Sequence, residues 1–136
     1  SSIVKKFNYA SSCVAINEGN GQFRIKELPM RTQVSCINAI MPLDVNGDGF
    51  IDLLTGGNLF GFLPQFEKLD GSFGDVLINN GKGEFLWQDS KKTGLNLKGE
   101  LRDIAAIKNS KGIYLLFLQN DEYPILYKLN DFSKKK

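Results

Sequence analysis

The 136-residue chain reads as an all-β protein, four-stranded antiparallel blades of a β-propeller in partial form, and three observations carry that reading. Short runs of Val, Ile, Leu and Phe are separated by Gly, Asn and Asp clusters at the spacing of successive strands and turns. No segment holds the apolar period of a helix. A strand, a two-glycine turn and a second strand recur 62 positions further on, since Val14 to Phe23 (VAINEGNGQF) lies over Val76 to Phe85 (VLINNGKGEF).

The predicted strands follow in order. The run Cys13, Val14, Ala15, Ile16 makes 13–17 a strand, and the Gly-Asn-Gly that follows supplies the positive φ a hairpin needs before a strand at 22–28. Residues 36–43 and 50–56 are apolar runs on either side of an Asp-rich loop. After an insert at 59–72 come 75–79 and 84–88, the second copy of the hairpin. The strands 101–108 and 113–119 flank a short Lys-Asn-Ser-Lys-Gly turn, and 124–129 closes the series.

The self-similarity extends beyond the hairpin. Residues 36–40 pair with 102–107, and 50–54 with 113–117, so the unit is four strands long. The chain is then one segment of two units, about 12–74 and 75–130, with 131–136 a basic tail. One blade cannot bury both of its faces, and a propeller closes with about four to eight. About two blades therefore call for the remainder of a propeller or another chain, and a two-sheet sandwich is the alternative architecture.

Composition excludes several classes. Net charge is +2, from 17 basic and 15 acidic residues; removing Lys134, Lys135 and Lys136 leaves 14 against 15, or −1, so no nucleic-acid surface is expected. No apolar run is long enough to insert into a membrane. The absence of histidine removes Ser-His, Cys-His and most zinc chemistry. Cys13 and Cys36 both fall inside apolar strand-like runs and are read as buried free thiols, although a disulfide between them would suit an exported protein. The first methionine is Met30 and no leader precedes it, the pattern of a processed or excised segment.

The loop from Asp44 to Asp52 carries the chemistry. It matches the Asp-x-Asn-x-Asp-Gly pattern of calcium loops, in which oxygens at alternate positions converge on one hard cation. Asp44, Asn46 and Asp48 offer side-chain oxygens, Phe50 its carbonyl and Asp52 a further carboxylate, while Gly49 permits the sharp turn. Three carboxylates within nine residues repel one another unless a cation sits between them. Thr55 stands where an EF-hand has its bidentate glutamate, and the flanks read as strands, so an EF-hand is excluded. The same residue types also make plain turns, so a metal-free loop is the competing reading. The corresponding place in the second unit, 108–112, has lost its acids and is expected to bind no metal.

With this loop running into Asp52-Leu-Leu-Thr-Gly-Gly-Asn58, most of residues 12–129 resembles FG-GAP/VCBS repeats, the blades of integrin-α-like propellers, the insert 59–72 and the missing acids of the second unit being the departures. The resemblance implies calcium held by Asp44, Asn46, Asp48, Phe50 (backbone) and Asp52, and one complete blade made of 36–43, 50–56, 75–79 and 84–88 between two part-blades. The end of the chain also looks like the carboxy-terminal repeats of large bacterial VCBS-repeat proteins, which are exported or held at the cell surface. The implied function is a calcium-binding, non-catalytic extracellular module that binds a protein or a carbohydrate. Phe60, Phe62 and Phe66 of the insert, if exposed, would form a partner surface; packing against a neighbouring blade is the preferred reading. Trp87 is read in the same way rather than as a sugar-stacking ring. The rival is a glycan-active enzyme using two carboxylates among Glu67, Asp70, Asp75, Asp103, Asp121 and Glu122, but nothing singles out a pair.

Overall fold

A computed structural model describes residues 4–6, 8–61 and 68–130. All nine expected strands are present, in three open antiparallel sheets. The first sheet pairs β1 (Cys13–Gly19) with β2 (Gln22–Glu27). The second runs β3 (Ile37–Leu43), β4 (Asp52–Gly57), β5 (Asp75–Asn79) and β6 (Phe85–Gln88), each beside the next. The third is β7 (Leu101–Asn109), β8 (Gly112–Gln119) and β9 (Ile125–Lys128). The second sheet contains the four strands that the resemblance assigns to one blade.

The internal repeat is visible in the ladders. Asn17 pairs with Phe23 and Asn79 with Phe85, and in each hairpin the Asn side chain accepts from the N–H two residues on, that of Gly19 or Gly81. Both glycines, and Gly21 and Gly83 after them, have positive φ, which a side chain would strain. The β3–β4 and β7–β8 hairpins each carry a bulge at their first pairs, Ile37/Ala39 and Leu101/Asp103. Ala39 opposite Gly56 then corresponds to Asp103 opposite Leu118, an offset of 64 on one strand and 62 on the other. The difference of two is the shortening of the loop. β9 follows β8 in the register that β5 holds on β4, since Thr55 opposite Asp75 becomes Phe117 opposite Ile125, and the offset of 50 on the third strand reflects the insert in the first unit.

The core lies between the second and third sheets. Ala39, Leu54 and Val76 meet Leu101, Ile104, Leu115 and Phe117, and Leu95 and Leu97 of the connecting segment close one side. Leu101 packs so closely on Gly56 that an added Cβ would come within 2.5 Å of its Cδ2. The first sheet lies on the opposite face of the second: Ile16 packs against Gly83, and Lys26 Nζ reaches Glu84 Oε1 at 3.1 Å.

Several expectations need correction. β4 begins at Asp52, not at residue 50, because Phe50 and Ile51 belong to the loop and stay 47% and 53% exposed. Cys36 precedes β3, and the thiols are free but not both buried: Cys36 is half-buried and Cys13 exposed. Two four-residue pieces escaped detection, a 3-10 turn at Met30–Gln33 and α1 (Ser90–Thr93), the latter capped by Asp89 accepting from Lys91 N and ended by Gly94 in the left-handed region. They are too short to show a helical period. Phe62, Phe66, Glu67 and the basic tail lie outside the described residues. Among the described residues no helix is long and apolar enough to cross a membrane.

Candidate metal centre

The loop between β3 and β4 is shaped by its own side chains. Asp44 accepts from Gly47 N at 2.7 Å through one oxygen and from Gly49 N at 2.9 Å through the other. Asn46 Oδ1 accepts from Asp48 N at 3.0 Å, and Asp48 Oδ1 from Phe50 N at 2.8 Å. These are successive Asx turns, in which each short polar side chain folds back on the amide two or more residues ahead. Gly47 and Gly49 take φ of 77° and 88°, which glycine alone adopts without cost. The result is an exposed loop in which three oxygen-bearing side chains are drawn to the same stretch of backbone. Each bonded oxygen keeps a second lone pair, and hard oxygen donors are what calcium takes.

Asp52 behaves differently. It is fully buried, and its two oxygens accept from Val45 N at 2.9 Å and Asn79 N at 2.8 Å. One carboxylate therefore ties the start of the loop to the end of β5. Asn79 adds a second tie, its amide donating to the Ile51 carbonyl at 3.0 Å. The Phe50 ring lies against Gly81, where any side chain would collide with it. With Asp52 held inward, no three Asp, Glu, His or Cys side chains among the described residues form a metal-holding cluster. The structure thus brings Asp44, Asn46 and Asp48 together and sets the Phe50 carbonyl in the same loop, with the Asp52 carboxylate beneath as a latch.

In the second unit the corresponding turn is two residues long, closed by Asn109 Oδ1 accepting from Lys111 N, and carries no carboxylate.

A second polar network was not visible in the sequence. Asn58, with φ of 79° and 1% exposure, accepts from Ser72 N and Ser35 Oγ and donates to the carbonyls of Ser72 and Gly99. Its own carbonyl accepts from Asn38 Nδ2. It pins both ends of the insert, whose flanks also bridge at Leu59 and Leu69. Beside it Asp75 is buried and accepts from Trp87 Nε1 at 2.8 Å and Ser72 Oγ at 3.3 Å. Burial raises its pKa, and the Trp87 and Ser72 hydrogen bonds and the Arg31 charge offset part of that rise. Thr55, its cross-strand neighbour, has a buried hydroxyl without a partner among the described residues.

The other candidate residues belong to other segments. Trp87 is half-buried, its N–H used by Asp75 and its ring 6.0 Å from the Arg31 guanidinium carbon. Phe60 is half-buried, with Lys68 Nζ 5.0 Å from the ring centre. Asp70, Asp103, Asp121 and Glu122 are exposed. Comparison with protein-family models, curated proteins and solved structures finds no match for this chain.

Proposed function

We propose that the chain is a calcium-binding, non-catalytic repeat module of the FG-GAP/VCBS kind, an extracellular or surface segment of a β-propeller that binds a protein or a carbohydrate. The observation that carries this reading is the ladder of Asx turns at Asp44, Asn46 and Asp48, which gathers hard oxygen donors in one exposed loop between two strands. Calcium would be held there by Asp44, Asn46, Asp48 and the Phe50 carbonyl, with Asp52 joining through the lone pairs its amide bonds leave free and water completing the shell. The cation would neutralise Asp44 and Asp48 and stiffen the loop. Of the acids named for the rival glycan-active reading, Asp70, Asp103, Asp121 and Glu122 are exposed, Asp121 and Glu122 being neighbours in the chain, and Asp75 is engaged by Trp87 and Ser72.

Thermal unfolding of the whole chain in excess calcium and in chelator tests the site, with Asp48→Ala alongside. At 100 times its dissociation constant a ligand adds about 2.7 kcal/mol. For a chain of this length that raises the midpoint by several degrees. The native chain should show this rise and Asp48→Ala should not. No calcium response in the native chain reduces the motif to a turn.

A further inference from the structure

The internal register shows what should cover the two outer sheet faces. Cross-strand partners share a face, so Ala15 with Ile25 and Asn17 with Phe23 form one face of the first sheet, and Val14 with Lys26 and Ile16 with Arg24 the other. The second of these meets the β5–β6 hairpin, through Ile16 on Gly83 and Lys26 on Glu84. The first is largely exposed, with Phe23 60% and Ile25 54% accessible and, among the described residues, Tyr9 beside Glu27 at its end. At the offset of 62, the same positions in the second sheet are Leu77, Phe85 and Trp87, of which Leu77 is fully buried and the two rings half-buried. These positions are therefore contact positions wherever a neighbouring sheet exists.

The third sheet shows the complementary case. Met41, Leu43, Leu54 and Val76 of the second sheet face the third and belong to its core. Their register equivalents in the third sheet are Ala105, Ile107, Leu116 and Leu126, on the face turned away from the core. There Ile107 is 45% and Leu126 57% exposed. An apolar face that is buried in one repeat and bare in the next marks an interface without its partner.

We propose that these two faces bind each other between copies of the chain, the β7–β9 face of one copy seating the β1–β2 face of the next. A second copy is the occupant because the molecule carries both halves, and because its own second sheet already displays the pairing the register would repeat at the junction. The contact is heterologous, so it adds copies head to tail rather than closing a two-fold dimer. It involves no residue of the metal loop and stands independently of calcium.

Sedimentation velocity of the whole chain, in chelator and up to about 100 μM, above the dissociation constants usual for specific interfaces, reads the result. The native chain should associate with rising concentration. Phe23→Lys and Leu126→Lys, both at exposed positions and checked for folding by circular dichroism, should each sediment as monomers; Ile107→Lys repeats the second arm. An equimolar mixture of Phe23→Lys and Leu126→Lys should form a dimer and stop there, because only one intact pair of faces remains. A native chain that stays monomeric throughout assigns the faces to other parts of a longer chain or to a foreign partner and overturns the proposal. So does association of either variant at the native level, or a mixture that stays monomeric.

Discussion

Asp52 is the residue whose removal should be felt most directly, and its effect can be separated from any effect of calcium. The carboxylate is fully buried and satisfies two amides, Val45 N and Asn79 N. Truncation to Ala leaves both N–H groups without an acceptor where water has little access, and a buried polar group left unsatisfied costs about 1 to 3 kcal/mol. The expected loss for Asp52→Ala is about 3 to 5 kcal/mol, set against a total stability of about 5 to 15 kcal/mol for a domain. Asp52→Asn keeps one acceptor oxygen and turns an NH2 group toward the other amide, so it should recover about half of that loss. Asp48→Ala, on an exposed loop, should cost less than about 1 kcal/mol. The assay is urea unfolding of the whole chain in chelator, with the slope of the transition compared so that a changed unfolded state is not mistaken for lost stability. A loss for Asp52→Ala no larger than that for Asp48→Ala would refute the assignment of Asp52 as the latch between the loop and β5.

Further predictions concern positions away from the loop. A Cβ at Gly57 would be driven into the Cys36 carbonyl, and backbone on backbone cannot give way as a side chain can. Gly57→Ala should therefore cost about 3 kcal/mol or more, while Gly61→Ala, with open space around it, should be near neutral by thermal unfolding. Asp75 has its pKa raised by burial, so the folded state holds its proton more tightly than the unfolded chain does. Its contribution to stability is greatest below the ordinary carboxylate range and is lost as pH rises from that range through the raised folded value. Asp75→Asn, which keeps an acceptor for the Trp87 indole, should remove that decline, and parallel stability–pH curves for the two proteins would show that the group does not titrate as inferred.

The strands were legible because alternation and turn chemistry agree along most of the chain, and the hairpin at 13–28 repeats closely enough at 75–88 to be aligned by eye. The start of β4 was not, since Phe50 and Ile51 are good strand formers and side-chain hydrogen bonds from Asp44, Asn46, Asp48 and Asn79 hold them in the loop. The exposure of Cys13 has no signal in the sequence because an apolar run says that a segment is a strand but not which face has a neighbour, and among the described residues β1 meets a second sheet on one side. The Asn58 network and the Asp75–Trp87 pair join residues 12 to 41 positions apart and have no period. The sole sequence trace of the first is an Asn directly after two glycines, a residue type that tolerates the left-handed region.

The two units differ at one atom pair beside the donor-rich loop. In the third sheet Leu129 N donates to the Ile113 carbonyl at 2.8 Å, continuing the ladder from β9 to the first residues of β8. The register equivalents in the second sheet are Asn79 and Ile51, at offsets of 50 and 62, and there the same amide donates to the Asp52 side chain. The Ile51 carbonyl, deprived of that donor, is taken by the Asn79 side chain. The Asp52 carboxylate thus takes the amide that the ladder uses in the third sheet, and two side-chain bonds stand in place of one backbone bond. On the other edge of β4, pairing with β3 ends at Leu43 and Asp52, and residues 44–51 form an eight-residue loop where the second unit closes in a two-residue turn. At the place of Asp52 the second unit has Tyr114, its ring 5.8 Å from Lys128 Nζ, which can pack on β9 but cannot accept from two amides. The donor-rich loop is thus held by two sets of side chains: Asp52, which ties its start at Val45 to the end of β5, and Asp44, Asn46 and Asp48, which fold back on its backbone and line it with oxygen.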